Sequence, residues 1–109
     1  MPSPTKELPV YPVETTLMLI SDTWKVSILR DLLTGTKRFG ELKKSVGKVS
    51  QKVLTSQLRQ IEDSGLLTRT VYPEVPLRVE YTLTELGYSL KPVLDAMWDW
   101  GEHYKAQNL

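Results

Sequence analysis

The apolar residues of this chain change period abruptly at Gly65, and that change limits what it can fold into. Between Ser50 and Ser64, Leu54, Leu58 and Ile61 fall within one narrow arc at about 100° per residue, the spacing of a helix. Lys52, Thr55, Ser56 and Arg59 project to the opposite side. Gly65 followed by apolar Leu66 is a helix stop of the Schellman kind. Directly afterwards, Leu67 to Tyr72 (LTRTVY) and Val79 to Leu83 (VEYTL) alternate apolar and polar residues, with β-branched and aromatic enrichment. Pro73-Glu74-Val75-Pro76 lies between them, which predicts a hairpin whose prolines stiffen the tip. No parallel sheet or βαβ unit competes with this pattern.

The upstream segments read as helices. Residues 1–12 hold Pro2, Pro4, Pro9 and Pro12, predicting a flexible arm that ends where Pro12 sets a helix start; residues 13–109 then form one domain. Val13 to Ile20 (VETTLMLI) is a short apolar helix. A second helix, Thr23 to Leu33, follows a Ser21-Asp22 capping signal, carries a stripe of Trp24, Ile28, Leu29, Leu32 and Leu33, and ends at Gly35. Thr36-Lys37-Arg38 is a polar link or a single bridge of sheet. Phe39 to Val46 is a third helix with Leu42 and Val46 inward, broken by Gly47. Thr84 caps a final helix running to about Tyr104, with an apolar stripe of Leu86, Leu90, Val93, Leu94, Met97, Trp98, Gly101 and Tyr104. Helix, helix, helix–turn–helix, β-hairpin, helix is the winged-helix arrangement. The expected fold class is mainly α with a small β-hairpin (α+β).

Composition removes several functions. With 109 residues the chain holds one domain and a modest core. Zero cysteine excludes disulfides, thiolate zinc sites, iron–sulfur clusters and any cysteine nucleophile. One histidine, His103, lies near Asp99 and Glu102, but a helical His beside carboxylates is ordinary surface chemistry. No nucleophile elbow, metal set or phosphate loop accompanies it, so neither an enzyme nor a cofactor is expected. Met1 to Pro9 is polar, and Leu17 to Ile20 is too short for a signal-peptide core or membrane span, which makes a cytoplasmic location the expectation.

A net charge of +1 advertises no partner until the chain is divided. Residues 36–79 hold nine basic against four acidic residues, net +5, and the rest carries −4. Positive charge therefore gathers on the helix–turn–helix and the wing, the elements that would face a duplex. In this motif the N-terminal residues of the second helix reach base edges. Those are Ser50, Gln51, Lys52, Thr55, Ser56 and Arg59. Gln pairs bidentately with adenine, and Arg or Lys with guanine. Ser50 has a second candidate role as N-cap, and Gln51 is expected nearer the buried side. Lys37, Arg38, Lys43, Lys44 and Lys48 would hold phosphate without reading sequence, with Arg78, and less firmly Arg69, bringing the wing to the backbone or minor groove.

These residues carry a family pattern. The stretch from Val49 to Gly101, above all LTSQLRQIEDSGLLTR, YPEVPLRVEYTLT and ELGYSL followed by Trp100-Gly101, closely resembles the HxlR family of bacterial winged-helix transcriptional regulators. YPVETTLMLI and DTWKVSILRDLLTGTKRFGELKKSV fit it as well, so the resemblance spans about Tyr11 to Tyr104. It implies a homodimer on a partly palindromic operator, formed through the first and last helices, here Val13–Ile20 and Glu85–Tyr104. Leu17, Ile20, Leu90, Leu94, Met97, Trp98, Trp100 and Tyr104 are the interface residues expected there. Independently, the terminal helix is more aromatic than so small a core needs. Many family members sense oxidants through a cysteine just before the Pro-Val-Glu segment; that position here is Tyr11, so thiol sensing is excluded. Its replacement is left open between an unidentified small-molecule effector, a partner protein and simple autoregulation.

The rival from another class is a winged-helix module that binds protein rather than DNA. Such a helix should show apolar anchors, whereas Ser50 to Arg59 presents a polar, cationic face.

Overall fold

The elements follow one another as α1 (Pro12–Ile20), α2 (Thr23–Leu32), β1 (Lys37–Arg38), α3 (Phe39–Val46), α4 (Gln51–Asp63), β2 (Leu67–Tyr72), β3 (Arg78–Leu83), α5 (Glu85–Tyr88) and α6 (Lys91–Asn108). This computed structural model describes residues 7–108. Of the arm expected at 1–12, residues 1–6 lie outside the described residues. Glu7 to Tyr11 form no helix or strand, and Pro12 is already the first residue of α1.

Side chains set the helix ends. Asp22 Oδ1 accepts the Trp24 N–H at 2.9 Å and Ser50 Oγ accepts the Val53 N–H at 3.1 Å, each satisfying a donor that a helix start leaves unpaired. Beyond α4, the Leu66 N–H donates to the Ile61 carbonyl (3.2 Å) and the Gly65 N–H to that of Glu62 (2.9 Å). This is the Schellman geometry expected there, and it requires the positive φ of +81° that Gly65 adopts.

The strands form one three-stranded antiparallel sheet in the order β1-β3-β2. Lys37 pairs with Tyr81 and Arg38 with Glu80, so the polar link is indeed a short strand. In the hairpin, Leu67 faces Leu83, Arg69 faces Tyr81 and Tyr72 faces Arg78. Both strands leave their tip before the two prolines, because Pro donates nothing to a ladder.

The core is assembled from every layer. Ile28, Leu29 and Leu32 of α2, Leu42 of α3, Leu54, Leu58 and Ile61 of α4, and Tyr81 and Leu83 of β3 are all buried in one cluster with Ile20 and Leu94. At about 25 cal/mol per Å² of apolar surface removed from water, each such aliphatic side chain contributes on the order of 2 kcal/mol.

One long terminal helix was expected, and the structure has two. α5 ends at Tyr88, and α6 begins at Lys91. Pro92 is the reason: in a continuous helix its ring would strike the Tyr88 carbonyl and its nitrogen could not donate there. It occupies the second position of α6, where no donor is needed. α5 is also held in place. Thr84 Oγ1 accepts the Gly87 N–H at 3.1 Å and donates to the Gly65 carbonyl at 2.7 Å. Gly87 lies so close to the Leu66 backbone that a Cβ would collide with its carbonyl oxygen. The end of the wing is thereby stitched to the corner between α4 and β2.

Candidate nucleic-acid interface

Helix α4 separates its faces by chemistry. Leu54, Leu58 and Ile61 are buried, while Gln51, Lys52, Thr55, Ser56, Arg59 and Gln60 together line an open, shallow surface. Gln51, expected nearer the buried side, is exposed. As the first helical residue it sits ahead of the turn that α4 buries. Thr55 Oγ1 donates back to the Gln51 carbonyl at 2.9 Å, and Ser56 Oγ accepts from Gln60 Nε2 at 3.3 Å. Gln60 was not singled out from the sequence, although its position one turn after Ser56 places it on the same face. Ser50 is exposed and serves as the N-cap, with its hydroxyl on Val53.

A groove runs from this face to the sheet. Gln51, Thr55, Arg59 and Glu62 of α4 line one side with Arg69 of β2, and Phe39, Val79 and Tyr81 complete it. The hairpin register explains the meeting, since Arg69 stands opposite Tyr81, itself part of the core. Arg59 and Arg69 thus border one groove from two elements, carrying two guanidinium groups suited to phosphate or guanine.

Arg78, expected to bring the wing to the backbone or minor groove, is engaged within the wing itself. Its guanidinium lies 3.9 Å over the Tyr72 ring and pairs with Glu74 at 2.9 Å and Glu80 at 3.5 Å. Its Nε is buried without a hydrogen-bond partner among the described residues. Two carboxylates already neutralise this side chain, so of the wing arginines the geometry favours Arg69. The sequence held a trace of this in the i, i+4 spacing of Glu74 and Arg78, but Glu80 and Tyr72 join through the hairpin register.

The remaining basic residues flank the groove elements. Lys44 and Lys48 are exposed on α3 and the following turn, and Lys43 is half-buried on α3. Lys37 Nζ donates to Thr34 Oγ1 at 2.8 Å. The Arg38 N–H donates to Glu41 Oε1 at 2.8 Å and so starts α3, leaving the Arg38 side chain exposed.

Apolar side chains are also exposed on α1 and α6. Leu17 on α1 and Met97, Trp98, Trp100 and Tyr104 on α6 are exposed; Trp98 is 52% exposed and Trp100 68%. Trp100 and Tyr104 stack with centroids 5.4 Å apart, and the Arg30 guanidinium of α2 covers Trp98 at 4.0 Å. Two residues expected at an interface belong elsewhere: Ile20 is 2% and Leu94 1% exposed, so both are core residues of the single chain. Leu90 is half-buried against that core. Periodicity had placed these residues on an apolar stripe without distinguishing its inward from its outward edge.

Similar sequences and the same fold recur in known proteins. Residues 19–109 match the family model described as HxlR-like helix-turn-helix. The chain belongs to the HxlR family. The HTH-type transcriptional regulator YdeP of Bacillus subtilis is 51% identical over 94 residues, covering 86% of this chain and 73% of YdeP. Among solved structures, the redox regulator HypR in its reduced form superposes with a TM-score of 0.83 at 41% identity, covering 87% of this chain and 94% of HypR. The reduced transcriptional regulator YodB from B. subtilis gives 0.77 at 34% identity, covering 88% and 95%. This HxlR-family chain is therefore a winged-helix protein of a transcription-regulator family. Among its described residues no helix is long and apolar enough to cross a membrane.

Proposed function

We propose that the chain is a sequence-specific double-stranded DNA-binding regulator, acting in the cytoplasm as a homodimer on a partly palindromic operator. The observation that carries this reading is the face of α4: Gln51, Lys52, Thr55, Ser56, Arg59 and Gln60 make it polar and cationic, Leu54, Leu58 and Ile61 are turned to the core, and Arg69 continues the face across the groove. A helix docking onto a protein would present apolar anchors instead. Gln51, Lys52, Thr55, Ser56 and Arg59 read base edges; Arg69, Lys43, Lys44, Lys48 and Arg38 hold phosphate. The exposed aromatic residues of α6, with Leu17 of α1, supply the dimer contact, and two recognition helices then lie about 34 Å apart, one turn of the duplex.

The family relative HypR is a redox regulator. This chain has no cysteine, so a thiol signal is not open to it. The test is titration of duplexes selected from a random pool, at several salt concentrations. A dimer meeting about eight phosphates should give a log–log salt slope near about −7. Absence of salt-sensitive binding to any duplex would overturn the reading in favour of a protein-binding module.

A further inference from the structure

A polar cleft between α2 and α3 lies apart from the α4 face and its groove, and touches the exposed aromatic residues of α6 only through Arg30. Ser27, Arg30, Asp31, Ser45 and Val46 line it, around a volume of about 290 Å³. None of them belongs to the α4 face or its groove.

Asp31 Oδ2 is buried and has no hydrogen-bond partner among the described residues, so the hydroxyls of Ser27 and Ser45 leave it unsatisfied. A buried carboxylate oxygen without a donor is costly, and a turn of the Asp31 side chain toward a donor in the cleft recovers that loss. Ser45 and Val46 are the last residues of α3, and the carbonyl end of a helix favours positive charge. The same cleft carries the opposite charge as well. Arg30 precedes Asp31 on α2, and its guanidinium carbon lies 4.0 Å from the centre of the Trp98 ring. A cation–π contact uses none of the five N–H donors of that group, which stay able to hold a carboxylate.

One carboxylate, one guanidinium and two hydroxyls therefore share a small space. A simple cation is attracted by Asp31 and repelled by Arg30, and a simple anion meets the reverse. A molecule carrying both charges gains from each. We propose that this cleft binds a small zwitterion, an α-amino acid or a close analogue, with its ammonium on Asp31 and its carboxylate on Arg30. The volume suits that size, falling just below the about 300–1,000 Å³ of sites for drug-sized ligands. Arg30 links the cleft to Trp98 on α6, and α3 is the first helix of the helix–turn–helix, so occupancy would bear on the dimer and DNA surfaces together. That coupling rests on the function proposed above; ligand binding itself does not.

The test is a titration of the full chain by ¹⁵N–¹H correlation spectroscopy without DNA. The common L-amino acids are added first as a mixture and then singly, with propylamine and propionate as probes carrying one charge only. The expected result is saturable shifts confined to the amides around residues 27–31 and 45–46. At least one amino acid should bind about tenfold tighter than either single-charge probe, and Asp31→Asn should weaken it by a similar factor. No saturating shift from any amino acid at millimolar concentration would overturn the proposal, as would equal binding of propylamine or propionate. Titration of the unmodified protein decides this even if Asp31→Asn fails to fold. Failure here leaves DNA binding untouched, and loss of DNA binding leaves this titration unchanged.

Discussion

Helices α4 and α6 are both amphipathic, yet one chain completes only the first. In α4 the apolar residues Leu54, Leu58 and Ile61 are each no more than 2% exposed, and what remains outside is polar apart from Val53. In α6, Leu94 is buried while Met97, Trp98, Trp100 and Tyr104 stay largely open to solvent. Apolar surface on this scale marks a site of association. The contrast shows that amphipathic spacing does not say what covers the apolar side: for α4 it is the chain's own core, while most of the apolar side chains of α6 stay exposed in the single chain.

The sharpest way to break this comparison lies within α6 itself. Leu94→Ala should lower the unfolding free energy by about 3 kcal/mol in a denaturant titration, because it empties a site in the monomer core. Trp98→Ala, one turn further on, should leave the monomer folded and weaken self-association by about 2 kcal/mol, read by analytical ultracentrifugation. Equal effects of both substitutions on unfolding, with no change in association, would erase the distinction between the two edges of the helix.

On the α4 side, Arg59→Ala should reduce discrimination between selected and random duplexes by about tenfold, or about 1.4 kcal/mol. Lys43→Ala, which removes one phosphate contact from each protomer, should weaken both duplexes alike and make the dimer's salt slope shallower by about two. If both variants acted alike on operator and random DNA, the division between reading and positioning would fail. The smallest effect belongs to Ser50→Ala, which should cost about 1 kcal/mol of stability without DNA, since its hydroxyl caps α4. Unchanged stability together with lost DNA affinity would assign Ser50 to base contact instead.

Much of this architecture was legible before any coordinates. The helix from Ser50 to Ser64 and the hairpin after it announce themselves by period, because each has one face in the core and one in water. Gly65 and Gly47 mark stops that require positive φ, and both adopt it. The misreadings have a common cause in contacts between residues distant in sequence or across a register. Arg78 looked free because the carboxylate of Glu80 and the ring of Tyr72 reach it only once the hairpin closes. Ile20 and Leu94 looked like interface because an apolar stripe does not declare which edge turns inward. The break before α6 has a local cause: Pro92 ends the continuity that an unbroken apolar stripe implies. Arg69 rose in importance for the converse reason, since its pairing with Tyr81 carries it to the groove beside Arg59.

The sheet order has a consequence for how this protein avoids unwanted company. With β3 in the middle, β2 and β1 each leave one edge unpaired, and an open edge is a template on which a foreign strand can grow. β1 is only two residues long, too short to recruit a partner strand. β2 carries exposed Arg69 between two threonines and runs straight into Pro73, so an incoming strand would meet a charge and then lose its ladder. A chain that leaves Trp100 largely open on a helix thus guards its sheet, keeping exposed apolar area away from any unpaired backbone on which a foreign strand could grow.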